Sequence, residues 1–175
     1  MVDYNLSRLS MLVIDDYAPM RRIFYNILRE LGVTQVSEAR DGIEAVEKLR
    51  SNDIDLIFVD QRMDPIDGLE FSRRIRAGVG KIDKFIPIIM ISGHTEVDLI
   101  VAARDAGVTE FLAKPVSAKL IYYRIRSVID NPRDFIRINE FFGPDRRRRP
   151  VPDFSGGDMR SAPHQYGGRP RTGGR

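Results

Sequence analysis

The chain has 175 residues, 30% of them charged, 42% hydrophobic and 9% aromatic, which suits one ordinary globular domain with an appendage. It has no cysteine and only two histidines, His94 and His164, which excludes a disulfide framework, a thiolate zinc site, a cysteine nucleophile and a histidine-rich metal centre. The net charge of +3 is uneven: residues 1–130 hold 18 basic and 20 acidic side chains and residues 131–175 hold 10 and 5, so the basic character belongs to the C-terminal part and is not a nucleic-acid footprint of the whole chain.

The first 130 residues alternate between two patterns. Leu9 to Ile14 is a short apolar run ending in Asp15-Asp16, the signature of a buried strand. Pro19 fits a first helical position, Ile23, Phe24, Ile27, Leu28 and Leu31 recur at helical spacing, and Gly32 stops the helix. Gln35 to Ala39 reads as a weaker strand. Asp41-Gly-Ile-Glu44 reads as a capping box opening a helix to about Arg50. Ile54 to Asp60 is a strand with a terminal carboxylate, and Asp67-Gly-Leu-Glu70 repeats the capping pattern before a helix to about Arg76. Ile86 to Ser92 is a further strong strand. Thr95 to Asp98 opens a helix that Gly107 ends, Glu110 to Ala113 is a short strand running into Lys114-Pro115, and Ser117 to Asp130 is the last helix, with Ile121, Ile125 and Val128 on one face.

Five successive strand–helix units with near-continuous apolar strands predict an α/β fold, a doubly wound parallel sheet covered by helices on both faces. In such a sheet active groups gather at the C-terminal strand ends. The longest apolar stretch, Phe85 to Ile91, is far shorter than the ~20 residues of a membrane span. Met1 to Arg8 shows no basic region followed by an apolar block, so a cytoplasmic location is expected.

Beyond Asn131 the composition changes. The last 45 residues hold 7 Gly and 6 Pro, against 7 and 4 in the first 130. Residues 150–175 read as a Gly/Pro/Arg-rich disordered tail. Residues 131–149 read as an aromatic stretch, Phe135 to Phe142, followed by Arg146 to Arg149. The aromatic stretch alternates like an extended segment that docks on its own domain or on a partner. The arginines suit an acidic protein, RNA or a membrane surface, with a solvated tail the commoner outcome.

Polar residues stand where the strands end: Asp15-Asp16, Asp60, Ser92 and Lys114. Three carboxylates brought to one rim repel and call for a cation, and a hard divalent ion such as Mg²⁺ takes oxygen ligands of this kind. Lys114 suits neutralising an incoming anionic oxygen and Ser92 suits donating a hydrogen bond to it. The chemistry favoured is attack by a carboxylate on phosphorus, giving an aspartyl phosphate. Taken singly, Ser92 is the kind of residue found in turns, Lys114 the kind found in solvent, and an aromatic at Phe111 the kind found in a core.

With these residues in place, residues 8–130 resemble a response-regulator receiver domain, the CheY-like module of two-component signalling. The matching residues are Asp15-Asp16, Asp60 after Phe58-Val59, Met63, Asp67-Gly68, Ser92-Gly93 and Phe111-Leu-Ala-Lys114-Pro115, with Met20-Arg-Arg-Ile23 and Glu30-Leu-Gly32 in the first helix. The resemblance implies the strand order 2-1-3-4-5. It implies Asp60 as phosphoryl acceptor, and Mg²⁺ held by Asp15, Asp16 and Asp60 with the Arg62 backbone carbonyl. It implies Ser92 as switch hydroxyl, Phe111 as switch aromatic, Lys114 paired with the acceptor, and a cis peptide at Pro115. Arg62 and His94 fall at the positions that tune loss of the phosphoryl group, with Arg62 expected to prolong its life. Proline at 65 is displaced by one residue from the family's usual place, and Ser92 and Gly93 stand for the commoner threonine and alanine.

A stand-alone receiver of this kind is a phosphorelay switch whose donor is a sensor histidine kinase or histidine phosphotransfer protein and whose output is binding to another protein or onward transfer. Tyr122 and Tyr123 read as part of a partner or homodimer face with the Thr95–Ala106 and Ser117–Asp130 helices, the alternative being that Tyr123 covers the core edge. Neither a membrane nor a nucleic acid is an expected partner. The alternative function is a receiver-like interaction module working independently of phosphorylation. Similar folds with other chemistry fit poorly: the second Asp of a haloacid-dehalogenase-type phosphatase would fall at Arg62, a flavodoxin's phosphate loop at Asp15-Asp16-Tyr17, and no P-loop is present.

Overall fold

The computed structural model describes residues 5–138 and 141–145. Its strands are β1 (Ser10–Ile14), β2 (Gln35–Ala39), β3 (Leu56–Asp60), β4 (Ile88–Ser92) and β5 (Glu110–Ala113). Its helices are α1 (Ala18–Glu30), α2 (Gly42–Ser51), α3 (Gly68–Arg76), α4 (Val97–Asp105) and α5 (Ala118–Asp130). The strands form one parallel sheet in the order β2-β1-β3-β4-β5. This is the expected fold class and order. No helix among the described residues is long and apolar enough to cross a membrane.

The sheet position of each strand explains its composition. β1, β3 and β4 are interior strands, buried on both faces at every residue, which is why they read as unbroken apolar runs. β2 and β5 are the edges, and they carry Gln35, Ser37, Glu38 and Glu110. Alternate side chains go to opposite faces. Leu12, Ile14, Ile57, Val59, Ile88 and Met90 meet Ala45, Phe71, Ile75 and Ala103 from α2, α3 and α4. Met11, Val13, Phe58, Ile89 and Ile91 meet Phe24, Leu28, Ile121 and Ile125 from α1 and α5.

β1 starts at Ser10, one residue after Leu9, and three elements start two residues later than in the sequence reading. β4 starts at Ile88 because Pro87 has no N–H to give the ladder, although its carbonyl still accepts from Ile57. β3 starts at Leu56, and Asp55 just before it is tied to the start of β1, its N–H donating to the Ser10 carbonyl and its carboxylate accepting from the Ser10 N–H, both at 2.8 Å. α4 starts at Val97 with Glu96 as its cap residue, not at Thr95. The caps on α2, α3 and α5 are made by Asp41, Asp67 and Ser117 side chains accepting backbone N–H groups. The return half of the expected boxes is altered: Glu44 accepts from Arg40 N–H at 3.0 Å, one residue before the cap, and Glu70 pairs with Arg73 and Arg74.

After α5 the chain forms an antiparallel hairpin, β6 (Phe135–Ile138) with β7 (Phe141–Pro144). Phe135 and Phe142 pack on Phe85, before β4, with ring centroids 5.2 and 5.4 Å away. Phe135 also covers the guanidinium of Arg76, 5.1 Å from its ring centre. Arg76 is buried, and it donates to the carbonyls of Gly107, Lys84 and Ile86 at 2.9, 2.9 and 2.7 Å. Burial pushes its pKa down to about 9, so it remains protonated at neutral pH. Gly107 has φ +83° and lies so close to Arg76 that a Cβ would come within 2.7 Å of its Cγ. At the hairpin's stem Arg133 pairs with buried Glu110 at 2.9 Å. Arg146 to Arg149, the 150–175 tail and His164 lie outside the described residues.

Candidate functional site

The C-terminal ends of β1, β3, β4 and the residue after β5 meet at one rim. Asp60 ends β3 and is buried. Its Oδ1 lies 2.7 Å from Lys114 Nζ, and its Oδ2 accepts the Arg62 N–H at 2.8 Å. Each oxygen is therefore held by its own donor, one a charged ammonium and the other a backbone amide.

Asp15, just past β1, is buried more deeply, at 2% exposure. Its Oδ1 accepts the Tyr17 N–H at 2.8 Å. Its Oδ2 is buried with no hydrogen-bond partner, Lys114 Nζ standing 3.6 Å away. Burial raises the Asp15 pKa, opposed by the Tyr17 hydrogen bond and reinforced by the charge of Asp60. Burial works against the Lys114 charge, but the hydrogen bond and charge of Asp60, together with Asp15, outweigh it and raise its pKa.

Asp16 is exposed, and its carboxylate makes no hydrogen bond or ion pair among the described residues. The structure therefore brings Asp15, Asp60 and Lys114 together and leaves Asp16 exposed next to Asp15 in the chain. Among the described residues no three acidic or histidine side chains close into a metal cage on their own. The donor set nevertheless fits a hard cation. Mg²⁺ uses one or two carboxylates and fills the rest of its octahedron with water and other oxygens, and the partnerless Asp15 Oδ2 is the oxygen such an ion would satisfy.

Ser92 ends β4, buried, with Oγ accepting the His94 N–H at 2.9 Å. His94 lies beside the site and its Nδ1 is 3.4 Å from Glu96 Oε1. Asp60, Gln61, Arg62, Ser92, Gly93, His94 and Lys114 line an open cleft of about 210 Å³. A methyl group at Gly93 would meet nothing within 4 Å. Phe111 is half-buried and packs on the α2/α3/α4-side core. The Lys114–Pro115 peptide is cis, and so is Asp64–Pro65. Tyr122 packs on the α1/α5-side core, while Tyr123 projects outward at 52% exposure, so it is Tyr122 and not Tyr123 that covers the core edge.

Three contributors escaped the sequence reading. Gly68 lets α3 press on the acceptor strand: its N–H donates to Gln61 at 3.0 Å, and a Cβ there would collide with the Asp60 carbonyl oxygen. Asp67-Gly68 was visible as a motif, but its closeness to Asp60 was not. Gln61 lines the cleft, and Arg21 reaches back from α1 to the Asp15 carbonyl at 2.7 Å. No local pattern announces Gln61, and Arg21, though it falls within the Met20-Arg-Arg-Ile23 match, carries no sign of that reach.

Comparison with known proteins gives the same picture. Residues 11–126 match the family model of the response regulator receiver domain. The chain is 33% identical over 122 residues to the chemotaxis protein CheY of Pseudomonas aeruginosa, covering 70% of this chain and 97% of that protein. Among solved structures it resembles Vibrio cholerae CheY4, at TM-score 0.64 and 28% identity over 69% of this chain and 98% of that one. It also resembles a Borrelia burgdorferi chain from a CheX–CheY–BeF3–Mg complex, at TM-score 0.64 and 27% identity over 69% of this chain and 89% of that one.

Proposed function

The chain belongs to the response-regulator receiver family of two-component signalling, and from that premise we propose that it is a switch driven by phosphorylation of Asp60. The donor is a phosphohistidine on a sensor histidine kinase or histidine phosphotransfer protein. The output is altered binding to a downstream protein, or onward transfer. The observation that carries this reading is the Asp60 carboxylate, buried yet open to the cleft, set between Lys114 Nζ and the Arg62 N–H beside an Asp15 oxygen with no partner.

An Asp60 oxygen attacks phosphorus as the donor's P–N bond breaks, and an O–P bond forms. The incoming group adds anionic oxygens to a cleft already holding two carboxylates. Lys114, no longer needed by a free Asp60 charge, turns to those oxygens, and Ser92, whose Oγ accepts from His94, keeps its own hydrogen to donate. Asp15, Asp16 and Asp60, with the Arg62 carbonyl, would hold Mg²⁺, which when bound neutralises charge on the transferring group. That a structural relative from Borrelia burgdorferi was solved in a complex with BeF3 and Mg supports Mg²⁺ as the cation. Arg62, exposed at the mouth, and His94 tune the lifetime of the phosphorylated state.

Ser92 and Lys114 lie at the ends of β4 and β5, and Phe111 lies on β5, so a charge placed in the cleft pulls on the neighbouring α4–β5–α5 face. Val97, Ile100, Val101, Leu120 and Tyr123 are exposed on α4 and α5. That supports this face as the output surface, for a partner or for a second copy through the Thr95–Ala106 and Ser117–Asp130 helices. Residues 131–149 act as an extension of the receiver unit, 8–130.

The test is incubation with Mg²⁺ and a small phosphodonor. The parent chain takes up phosphate, Asp60→Asn does not, chelation abolishes uptake, and Arg62→Asn shortens the label's life. Equal labelling of the parent and Asp60→Asn would sink the assignment.

A further inference from the structure

Arg21 stands one turn into α1, and its guanidinium makes two contacts at once. Nη1 donates to the Asp15 carbonyl at 2.7 Å, and Nε lies 3.4 Å from Glu38 Oε2 on the edge strand β2. The Arg21 side chain is 17% exposed and that of Glu38 33%, so neither contact is a loose surface pair. The strand side is tied as well, because Asp15 N–H donates to the Ala39 carbonyl at 3.2 Å, next to Glu38.

The Asp15 carbonyl belongs to the peptide that joins Asp15 to Asp16. A peptide unit is planar, so fixing the direction of that carbonyl also fixes the direction in which the chain leaves toward the Asp16 Cα. Asp16 has no hydrogen bond or ion pair of its own to orient it among the described residues. Its carboxylate direction therefore depends on the peptide plane that Arg21 holds. Glu38 in turn pairs with Arg21, and it does so from the edge strand β2.

We infer that Arg21, backed by Glu38, is a positioning residue that sets the Asp15–Asp16 pair for a divalent cation; this rests on the metal assignment proposed above. The fork geometry matters. The planar guanidinium donates through Nη1 to the carbonyl while its Nε stays within ion-pair distance of the Glu38 carboxylate, whereas a lysine ammonium of the same charge has one nitrogen to share between them. Outer groups that orient metal ligands are worth roughly 10- to 100-fold in metal affinity.

A pure charge effect predicts the opposite sign. Arg21 is a cation close to an acidic cup, and by Coulomb repulsion alone its removal would tighten binding of a divalent cation. Positioning and charge are thereby separable. The experiment titrates the full chain with MgCl₂, following amide chemical shifts of Tyr17 and Arg62, for the parent, Arg21→Lys, Arg21→Gln and Glu38→Gln, with urea unfolding in chelator as a check on the fold.

Positioning predicts that Arg21→Lys and Arg21→Gln both weaken Mg²⁺ binding by roughly 10-fold, and Glu38→Gln weakens it less, with all four chains retaining a cooperative unfolding transition. Arg21→Lys equal to the parent together with tighter binding by Arg21→Gln would overturn the inference while leaving the metal site intact. A parent chain whose Tyr17 and Arg62 amides do not respond to Mg²⁺ would remove the metal assignment itself, and the inference with it. Should an Arg21 variant fail to fold, Glu38→Gln decides: parental affinity in that chain overturns the inference.

Discussion

Asp15 Oδ2 faces Lys114 Nζ across 3.6 Å, too far for a hydrogen bond, because the same ammonium is held at 2.7 Å by Asp60. One lysine therefore serves two buried carboxylates unequally, and the loser is the more deeply buried. Without a cation at the site, Asp15 is a cost to the fold: its pKa is raised, chiefly by burial and also by Asp60.

The sign of the pH effect follows. An acid whose folded pKa lies above its unfolded value penalises the folded state fully when the pH is above both. The penalty falls as pH drops through the folded pKa and is gone below the unfolded value. Asp15→Asn is therefore expected to stabilise the metal-free chain at pH 7, by about 1 kcal/mol on the usual scale of single substitutions. The gain should disappear as the pH is lowered toward the ordinary carboxylate range, and Mg²⁺ should no longer raise the stability of the variant. Urea unfolding in chelator at pH 7 and pH 4, repeated at pH 7 with MgCl₂ in place of chelator, measures all three effects. A variant less stable than the parent at pH 7 would show that the Tyr17 hydrogen bond outweighs the burial of charge.

Gly68 supports the acceptor through absence of a side chain. A Cβ there would collide with the Asp60 carbonyl oxygen and stand 3.1 Å from Gln61 Cα, and both obstacles are backbone. Gly68→Ala must displace either α3 or the end of β3, and is expected to cost about 1–3 kcal/mol, the range for overpacking. It should also slow labelling of Asp60. Gly93→Ala is the control within the same cleft: its methyl meets nothing within 4 Å, and its stability should stay within about 0.5 kcal/mol of the parent. Equal stabilities for the two variants would refute the packing argument.

The contrast between these glycines shows what a sequence can disclose. The interior strands were legible because burial on both faces leaves a continuous apolar run, and the rim was legible because Asp15, Asp60 and Ser92 each end such a run and Lys114 follows the short edge strand β5. Caps at Asp41, Asp67 and Ser117 are local and equally visible. Contacts between segments distant in sequence were not visible. Nothing near Arg76 in the chain shows that it is buried under Phe135, or that Gly107 must lack a Cβ to receive it. The alternation of Phe135 to Phe142 signalled an extended segment, but its seat on Phe85 depends on a residue some 50 positions earlier that reads as the start of a strand.

That seat leads to the last prediction. Phe142 touches Phe85 and Phe135 with centroids at 5.4 and 5.5 Å, and Lys84 and Arg137 lie over its ring at 4.6 and 5.6 Å. It is half-buried, so Phe142→Ala in the full chain should cost about 1–2 kcal/mol, below the range for a fully buried ring. The hairpin should loosen first. The amide of Asp145, which donates to the Asp134 carbonyl at 2.7 Å, should lose protection from hydrogen exchange, and protease should gain access to the 135–144 segment. Tyr123→Ala, which removes a ring that is 52% exposed, should leave both readouts near parental values. The hairpin contacts Phe85 and Gly107, which precede β4 and β5, whereas the acceptor cleft lies where those strands end. Mg²⁺ affinity in Phe142→Ala should therefore match the parent. Unchanged exchange at Asp145 with unchanged stability would mean the aromatic seat contributes nothing, and a fall in Mg²⁺ affinity would mean the two ends of the sheet are coupled.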